Sequence, residues 1–417
     1  MRKLAYAVTA SILLLSLGAC AEKTLPTSME SPDPSAALVP IGGGTVILRP
    51  PTILGPDQFT EITAGANHSC ARKVNGTVYC WGADNLGQSG TWTTKTCANG
   101  LPCIDRPRLV TFAGVGLTTK SIDAGYNHTC ALGTANDAYC WGDGNQGQVG
   151  FATGSYGYIY EPLKVVGGLT FSSIGAGTNS TCGTTSGGMY CWGTLMNRAA
   201  TPTLLSSWNG YNTVSVGDLH ACALYVVGSY RSVDCWGNNR YGQLGSDPAQ
   251  LPYGPFTVGT MFTNPANRVA TEASFTCVDQ PNATVQCAGE NTWGMLGNGQ
   301  SGTYTSTGTP QVVGGGTSLN GVSTGRVHAC ALSGAGAAYC WGNGYNGQVG
   351  HNAYAVATSP QLVTGGRTYR AVAAGGRHSC AIGTDNHIYC WGQNDNGQLG
   401  TQYPGGYVSN PVQALDP

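Results

Sequence analysis

Charged residues are scarce in this chain. Asp, Glu, Lys and Arg make up 9% of its 417 residues, and the formal net charge is −1. A domain that binds nucleic acid usually carries a basic stripe that contacts the phosphates, and the sequence has none. It also lacks the H-E-x-x-H, G-x-S-x-G and phosphate-binding glycine motifs, and its few glutamates are scattered. We therefore expect no nucleic-acid partner, no catalytic residues, no metal and no cofactor.

Helical periodicity is also missing. No stretch of ten or more residues has the spacing of apolar side chains that is typical of an amphipathic helix. Instead, short apolar runs of strand length alternate with Gly, Asn and Asp. In the last repeat of the chain we expect residues 360–363 to form the opening strand, followed by strands at 369–374, 378–382 and 387–391. This pattern predicts an all-β protein.

One phrase recurs along the chain, with H-x-C-A-L followed by Y-C-W-G and then by G-Q-x-G. The copies begin 40 to 60 residues apart, at Cys70, Cys130, Cys182, Cys222, Cys277, Cys330 and Cys380. Each copy reads as about four strands. Such a repeat predicts a seven-bladed β-propeller with four-stranded antiparallel blades, or alternatively a solenoid, although no capping repeat is visible. Residues 410–415 resemble the strand that opens other repeats, and we expect them to close the ring by joining the first blade. Residues 51–54 compete for that place, and the sequence does not decide between them.

Most repeats contain two cysteines ten residues apart. A three-residue loop at the midpoint of a hairpin would place them opposite each other, within disulfide range. In repeat 3 the spacing is nine, which a two-residue loop at Ser186 and Gly187 accommodates, and repeat 4 is expected to need a larger loop. Metal ligation is the alternative, but no Cys-x-x-Cys spacing supports it. The predicted disulfides, which indicate an oxidising compartment, are Cys70–Cys80, Cys97–Cys103, Cys130–Cys140, Cys182–Cys191, Cys222–Cys235, Cys277–Cys287, Cys330–Cys340 and Cys380–Cys390.

The phrase H-x-C-A-L…Y-C-W-G-x-N-x-x-G-Q-L-G resembles the repeat of the regulator of chromosome condensation family. The resemblance covers roughly residues 50–417 in seven copies. It implies a seven-bladed propeller. Members of that family include guanine-nucleotide exchange factors, ubiquitin-ligase modules and secreted bacterial inhibitor proteins, so the resemblance implies a fold without implying one function.

The N-terminal segment resembles the leader of a bacterial lipoprotein. Residues 1–19 have a basic start and a short apolar stretch, which predicts a cleaved signal peptide. Leu17-Gly18-Ala19-Cys20 resembles a lipoprotein cleavage site, and Cys20 is the cysteine left over from the eight pairs. We expect lipidation at Cys20, a flexible linker over residues 20–47 and the propeller over residues 48–417. The protein would then be anchored by lipid in the bacterial cell envelope, at the outer membrane or the cell surface.

Several residues recur with the repeat, which favours a structural role for them. The histidines are expected to bond backbone between blades, and the glutamines of G-Q-x-G are expected to be structural as well. The tryptophans of Y-C-W-G are expected to fill the blade cores. The recurring histidines are His68, His128, His220, His328 and His378. Repeats 3 and 5 lack some of these recurring residues. Sequence drift is one explanation, and the alternative is that those two blades line a specialised face.

The segments between G-Q-x-G and the next strand should all emerge on one face of a propeller. They carry aromatic side chains among Gly, Ser, Thr and Asn, a composition that suits a binding surface. The candidate binding residues are Trp92, Phe151, Tyr156, Tyr158, Tyr160, Tyr253, Phe256, Tyr304, Tyr354, Tyr403 and Tyr407. An alternative is that these rings pack the loops onto their own blades.

Three hypotheses for the function follow. The first is a monomeric binding module that recognises a protein or a glycan and contacts the membrane only through its lipid. The second is a lyase or hydrolase, for which His and carboxylate side chains should meet at one mouth of the central channel. The third is an envelope scaffold without a specific ligand.

The lipoprotein hypothesis is tested by metabolic labelling with palmitate in a bacterial host. We expect the wild-type chain to be labelled and Cys20→Ala to lose the label, because lipidation would need that thiol. Labelling of both forms would place the lipid elsewhere, and labelling of neither would leave an ordinary secretory signal.

Overall fold

The computed structural model describes residues 54–112, 118–151, 157–249, 253–263, 266–302 and 305–417, with 253–263 as backbone only. The predicted signal peptide, Cys20 and linker lie outside these residues. In the part of the chain that the structure describes, the helical element is a three-residue 3-10 helix (Thr194–Met196). No helix in this part is long and apolar enough to cross a membrane.

The described residues form 28 strands in seven four-stranded sheets. The first sheet contains β1 (Phe59–Ala64), β2 (His68–Lys73), β3 (Val78–Ala83) and β4 (Cys103–Leu109). The second contains β5 (Thr119–Ala124), β6 (His128–Gly133), β7 (Ala138–Asp143) and β8 (Tyr158–Lys164). The third contains β9 (Ser173–Ala176), β10 (Ser180–Thr185), β11 (Gly188–Gly193) and β12 (Ala199–Ser206). The fourth contains β13 (Tyr211–Val216), β14 (His220–Val227), β15 (Tyr230–Asn238) and β16 (Tyr253–Thr263).

The remaining three sheets follow in the same order. The fifth contains β17 (Arg268–Glu272), β18 (Phe275–Asp279), β19 (Val285–Gly289) and β20 (Thr307–Val312). The sixth contains β21 (Leu319–Thr324), β22 (His328–Ser333), β23 (Ala338–Gly342) and β24 (Ala357–Leu362). The seventh contains β25 (Tyr369–Ala374), β26 (His378–Gly383), β27 (Ile388–Gln393) and β28 (Tyr407–Gln413). The prediction of a seven-bladed propeller is therefore confirmed.

Each blade is an antiparallel meander, and its first strand is the innermost. The first strands contact one another around a common axis, where they line a central channel. In a meander, the connections from first to second strand and from third to fourth strand leave one side of the ring, which we call the loop face. The second-to-third hairpins and the blade-to-blade connections leave the other side, which we call the hairpin face.

Two expectations about the limits of a blade were wrong. Residues 360–363 were expected to open the last repeat, but β24 pairs with β23 and is the outer strand of the sixth blade. Residues 410–415 were expected to join the first blade, but β28 pairs with β27 in the seventh. The strand that follows G-Q-x-G folds back on the strand it has just left, so every blade is made of consecutive chain. The ring is closed by contacts of β1 with β25 and β26.

The predicted disulfides are all present, and seven of them join the second and third strands of a blade. Their cysteines face each other with Cα atoms 4.0–4.1 Å apart. The expectation of a larger loop in repeat 4 was wrong. Val227 pairs with Tyr230 across a two-residue turn, and the additional residues lengthen β14 and β15 instead. The odd spacing of thirteen between Cys222 and Cys235 still leaves the two residues opposite each other.

Neighbouring blades are joined through one backbone carbonyl, that of the Gln in G-Q-x-G. At the joint between blades 6 and 7, the Gln348 carbonyl accepts hydrogen bonds from the Trp391 indole at 2.8 Å and from the Ser379 hydroxyl at 2.9 Å. The Ser379 oxygen in turn lies 2.8 Å from Nε2 of His328. Since the hydroxyl donates its hydrogen to the carbonyl, the His328 ring must donate to the hydroxyl, which assigns the Nε2–H tautomer.

The same groups recur at other joints, although blade 5 has Ala288 in place of the tryptophan, so the Gln243 carbonyl accepts from the Thr276 hydroxyl without an indole. The remaining histidine–hydroxyl pairs, each with an Nε2 to oxygen distance of 2.8–2.9 Å, are His68–Thr129, His128–Thr181, His220–Thr276 and His378–Ser69. All five histidines are buried, and burial lowers their pKa to about 3, so the rings are neutral. Their structural role is confirmed, but the expected partner was wrong, because the rings bond side-chain hydroxyls of the next blade rather than backbone. The six predicted core tryptophans are buried.

The two atypical repeats change both sides of the joint that follows them. Repeat 3 has Ser180 in place of His, and blade 4 presents Ala221 where other blades have a hydroxyl. Repeat 5 has Phe275 in place of His, and blade 6 presents Ala329. Phe275 and Ala329 are both fully buried in one apolar cluster. These repeats therefore keep a satisfied joint by removing the histidine and its hydroxyl partner together.

The role of the joints can be tested by converting the His328–Ser379 joint into one that resembles the apolar Phe275–Ala329 joint. His328→Phe alone should lower the free energy of unfolding by about 1–3 kcal/mol, because it removes a buried hydrogen bond and places a ring against a hydroxyl. Adding Ser379→Ala should recover much of this loss, because it reproduces the Phe275–Ala329 joint while Trp391 still satisfies the Gln348 carbonyl. Denaturant unfolding of the wild type, both single variants and the double variant measures the coupling. Additive losses would show that the two side chains are not one unit.

Candidate functional site

The central channel is filled rather than open. Only about 20 Å³ remains between the inner strands, which is room for about one water molecule. Short polar and small side chains occupy the axis, and some bond the neighbouring strand. The Asp123 carboxylate, for example, accepts from the Ala176 N–H at 2.8 Å and from the Thr63 hydroxyl at 3.3 Å. A substrate site inside the channel, which the alternative enzyme hypothesis would use, has no space there.

A ring of backbone hydrogen bonds surrounds the mouth of the channel on the loop face. In each case an N–H in the loop between first and second strands donates to a carbonyl of the same loop in an adjacent blade. The donors and acceptors are Ala66–Tyr126, Tyr126–Gly177, Thr178–Gly217, Asp218–Ala273, Arg326–Gly375 and Gly376–Gly65, at 3.0–3.2 Å. These bonds hold the loop backbone in place while its side chains vary freely from blade to blade.

The mouth carries charges of both signs. The Arg326 guanidinium from blade 6 lies over the Tyr126 ring from blade 2, with 4.8 Å between its central carbon and the ring centroid. The carboxyl groups of Asp218 and Glu272 stand near the same Arg. Burial and then the neighbouring Asp218 charge raise the pKa of Glu272 to about 8, although Arg326 opposes the shift. Burial also raises the pKa of Asp218.

A cleft of about 510 Å³ lies beside the mouth, where the first and seventh blades meet. Its lining residues are Ala66, Asn67, Ala98, Asn99, Tyr126, Arg326, Gly376, Arg377, Gln393, Asp395 and Asn396. One wall is the loop closed by the Cys97–Cys103 disulfide, which is additional to the hairpin disulfides. The Asn99 amide in this loop donates to the Asn396 side-chain oxygen at 2.6 Å, so the first blade is tied to the seventh. The size of the cleft is within the usual range of ligand sites, about 300–1,000 Å³.

The candidate aromatic residues that the structure describes lie on connections of the loop face or at the strand ends beside them. Trp92 and Tyr403 are 68% and 80% exposed, and Tyr158, Tyr354 and Tyr407 are also exposed. Two edge-to-face contacts join rings of adjacent blades, Trp92 with Tyr160 at 5.1 Å and Tyr354 with Tyr407 at 5.3 Å between centroids. The structure thus brings these candidates together in pairs rather than in a single patch.

The other candidates do not add to this surface in the described structure. Phe151 is partly buried and packs against the core between blades 2 and 3. Tyr156 and Tyr304 lie outside the described residues, as do the side chains of Tyr253 and Phe256 in β16.

The chemistry of the mouth differs from that of a hydrolytic site. Its carboxylates, Asp218 and Glu272, stand beside an Arg, whereas the five recurring histidines lie in the joints with Nε2 already bonded. Within the described ranges, no group of three or more His, Cys, Asp or Glu side chains could hold a metal ion.

Sequence analysis did not single out the residues at the mouth and the cleft. Tyr126, Arg326 and Arg377 occupy two adjacent positions of the phrase A-G-x-x-H and its variants, where other blades have Ala66, Thr178 or other residues. If the repeats had been aligned by their histidines, these two positions would have stood out, because they vary and lie between a glycine and a histidine that most repeats share. A further ring pair on the same face, the partly buried Trp293 and the exposed Tyr345 at 5.9 Å between ring centroids, was also missed.

Comparison with protein families agrees with this geometry. Two family descriptions, both named Regulator of chromosome condensation (RCC1) repeat, match residues 59–88, 75–132, 120–148, 335–382, 369–398 and 385–416. The chain carries RCC1 repeats. In this structure the matched segments contain the hairpin disulfides of blades 1, 2 and 7. In blade 6 the match begins at residue 335, after His328 and Cys330.

Relatives with RCC1-type similarity differ widely in length. E3 ubiquitin-protein ligase HERC2 of Homo sapiens is 26% identical over 312 residues, which is 70% of this chain but 6% of HERC2. Ultraviolet-B receptor UVR8 of Arabidopsis thaliana is 26% identical over 309 residues, 71% of this chain and 67% of the receptor. The chain therefore spans a small part of the ligase and about two thirds of the receptor.

Solved structures show the same fold. Prp20p of Saccharomyces cerevisiae, studied for its binding to Gsp1p and histones, has a TM-score of 0.70 and 19% identity, with 87% of each chain covered. Human WBSCR16 has a TM-score of 0.69 and 17% identity, with 82% of this chain and 95% of that one covered.

The buried carboxyl group at the mouth predicts a pH dependence of stability. The pKa of Glu272 is raised to about 8 from an ordinary value of 4.5, so ionisation favours the unfolded chain. The stability that depends on protonated Glu272 is present below pH 4.5 and is lost as the pH rises to 8. Glu272→Gln should therefore raise the melting temperature relative to the wild type more at pH 9 than at pH 5. The exposed Glu161→Gln serves as the control, and an equal effect of Glu272→Gln at both pH values would contradict the assignment.

Proposed function

We propose that the ring is a recognition module for a protein, that it binds through its loop face, and that lipid on Cys20 holds it at the bacterial cell envelope. The observation that carries the proposal is the contrast between a filled channel and a loop face that has both a 510 Å³ cleft and exposed aromatic rings. Aromatic anchors around a concave site are the usual composition of a binding hot spot.

The position of the chain entry supports such a tether. β1 runs from the hairpin face toward the loop face, so the described chain enters the ring at the hairpin face, near Phe59. The C-terminal strand β28 also ends at the hairpin face, and the loop face carries neither end of the described chain.

The structural relatives support a protein as the ligand. Prp20p was studied for binding to Gsp1p and histones, and it is also seen in complex with Kap60, so a protein that shares this fold binds other proteins. RCC1-type propellers act as binding or exchange-factor domains, and ligase activity belongs to HERC proteins as a whole. Nucleotide exchange on a cytosolic GTPase does not fit a chain with eight disulfides.

Affinity capture from the native cell envelope tests the proposal, with the full chain carrying Cys20→Ser as bait. The triple variant Trp92→Ala, Tyr354→Ala and Tyr403→Ala should lose the captured protein, since a hot-spot aromatic contributes about 2 kcal/mol or more to binding.

The matched control is Trp208→Ala with Tyr230→Ala, which removes two rings of similar exposure, 66% and 53%, from the hairpin face. This control should retain the partner. Loss in the control but not in the triple variant would move the site to the hairpin face. Capture of a polysaccharide instead of a protein would favour the glycan alternative, and no capture by any bait would favour a scaffold.

A further inference from the structure

The cleft between blades 1 and 7 has a more specific chemistry than the loop face as a whole. It is lined by two exposed guanidinium groups, Arg326 from blade 6 and Arg377 from blade 7. Within the described part of the chain, no carboxylate lies within ion-pair distance of either one. Each guanidinium offers up to five N–H donors in a planar array that matches the two oxygens of a carboxylate.

The one carboxylate in the lining is already engaged. Asp395 accepts from the Gln393 amide at 2.6 Å through Oδ2 and from the Gly406 N–H at 3.1 Å through Oδ1. These bonds hold it in the turn of blade 7, and it forms no ion pair with Arg377. The lining therefore has two guanidinium groups and one carboxylate, in a chain that has a net charge of −1. Asp218 and Glu272 stand near Arg326 at the adjoining mouth, but burial raises the pKa of both carboxyl groups, to about 8 for Glu272, which disfavours their charged forms.

Arg326 and the wall opposite it are held in position before any ligand arrives. Arg326 is stacked on Tyr126 at 4.8 Å, and its backbone N–H bonds the Gly375 carbonyl. The opposite wall is the disulfide loop, which the Asn99–Asn396 hydrogen bond fixes to blade 7. Ordering of this site on binding would cost little conformational entropy, which favours affinity.

We propose that this cleft binds the carboxylate side chains of an acidic peptide segment in the protein partner, with Arg326 and Arg377 as the two anion-binding residues. The proposal rests on the proposed function, because it names the chemistry of the partner on the same face. A peptide fits better than an acidic sugar, because Tyr126 is the one aromatic residue of the lining and Arg326 covers its ring, so a sugar ring would find no open aromatic face inside the cleft. The exposed rings of Tyr403 and Tyr407, in the loop beside the cleft, would contact apolar residues that flank the acidic ones.

The test uses the purified full chain with Cys20→Ser and a fluorescein-labelled peptide that contains four consecutive Glu residues. Binding is followed by fluorescence anisotropy at an ionic strength of about 0.15 M, where long-range attraction is screened beyond about 8 Å. We expect saturable binding of this peptide and none of the matched peptide with four Gln. Arg326→Gln with Arg377→Gln should weaken binding by about tenfold or more.

The matched control is Arg231→Gln with Arg367→Gln, which makes the same change of net charge on the hairpin face. Arg367 is exposed and stacks on Tyr389 at 4.3 Å, as Arg326 does on Tyr126, so the control also removes a stacked guanidinium. The control should change the dissociation constant by less than about twofold. An equal loss of peptide affinity in both double variants would show that only net charge matters and would overturn the proposal. The absence of saturable binding to the wild type would overturn it as well. A competing arm with an oligouronate separates the two sources of carboxylate, and binding of the sugar alone would also overturn it.

These outcomes are separable from those of the capture experiment. If the peptide does not bind but the aromatic variants lose the envelope partner, only the carboxylate assignment fails. The peptide could also bind through Arg326 and Arg377 while capture of the envelope partner does not depend on the aromatic residues. That result would support the carboxylate site in the cleft and contradict the role of the aromatic residues in partner binding.

Discussion

The ring depends on one backbone carbonyl at six of the seven joints between its described blades. Where the joint is complete, this carbonyl belongs to the Gln of G-Q-x-G and accepts from the indole and the hydroxyl of the next blade, and the hydroxyl accepts from the buried histidine. A carbonyl in such a buried position would be costly without its donors. The Gln side chain turns back to hold its own loop, as Gln348 does by accepting from the Asn346 N–H at 2.9 Å. One short motif therefore shapes the turn and joins it to the next blade.

The requirement for buried joint residues determines which residues of the ring are available to bind a ligand. The histidines, tryptophans and hairpin cysteines are buried and occupied by the architecture, so they are unavailable to a ligand. The positions that are free to vary are the loop residues held by the ring of backbone bonds at the mouth and the long connections between third and fourth strands. Both sets emerge on the loop face, and the Cys97–Cys103 loop adds a wall where the first and last blades meet. The fold thus collects variable side chains on one side of a constant ring.

The repeated phrase was enough to predict the fold, the number of blades and the disulfides, because each repeat contains a hairpin whose register the two cysteines define. It was not enough to locate the blade limits, because the outer strand follows a loop of variable length and could pair with either neighbour. The joints were predicted only in outline. Nothing in the local sequence of His328 shows that its partner is Ser379, although the paired losses at Phe275 and Ala329 hold this information once the blades are aligned. The cleft depends on residues from blades 1, 2, 6 and 7, which only the closed ring brings together.

The central claim is that partners bind to the loop face. Hydrogen–deuterium exchange of the full chain, alone and with its captured partner, measures this most directly, because amides covered by a partner exchange more slowly. The account predicts new protection in residues 64–67, 95–103, 325–327 and 393–407, with the hairpin turns at residues 74–77 and 228–229 unchanged. Protection confined to those turns or to the connections between blades would place the site on the hairpin face and contradict the account.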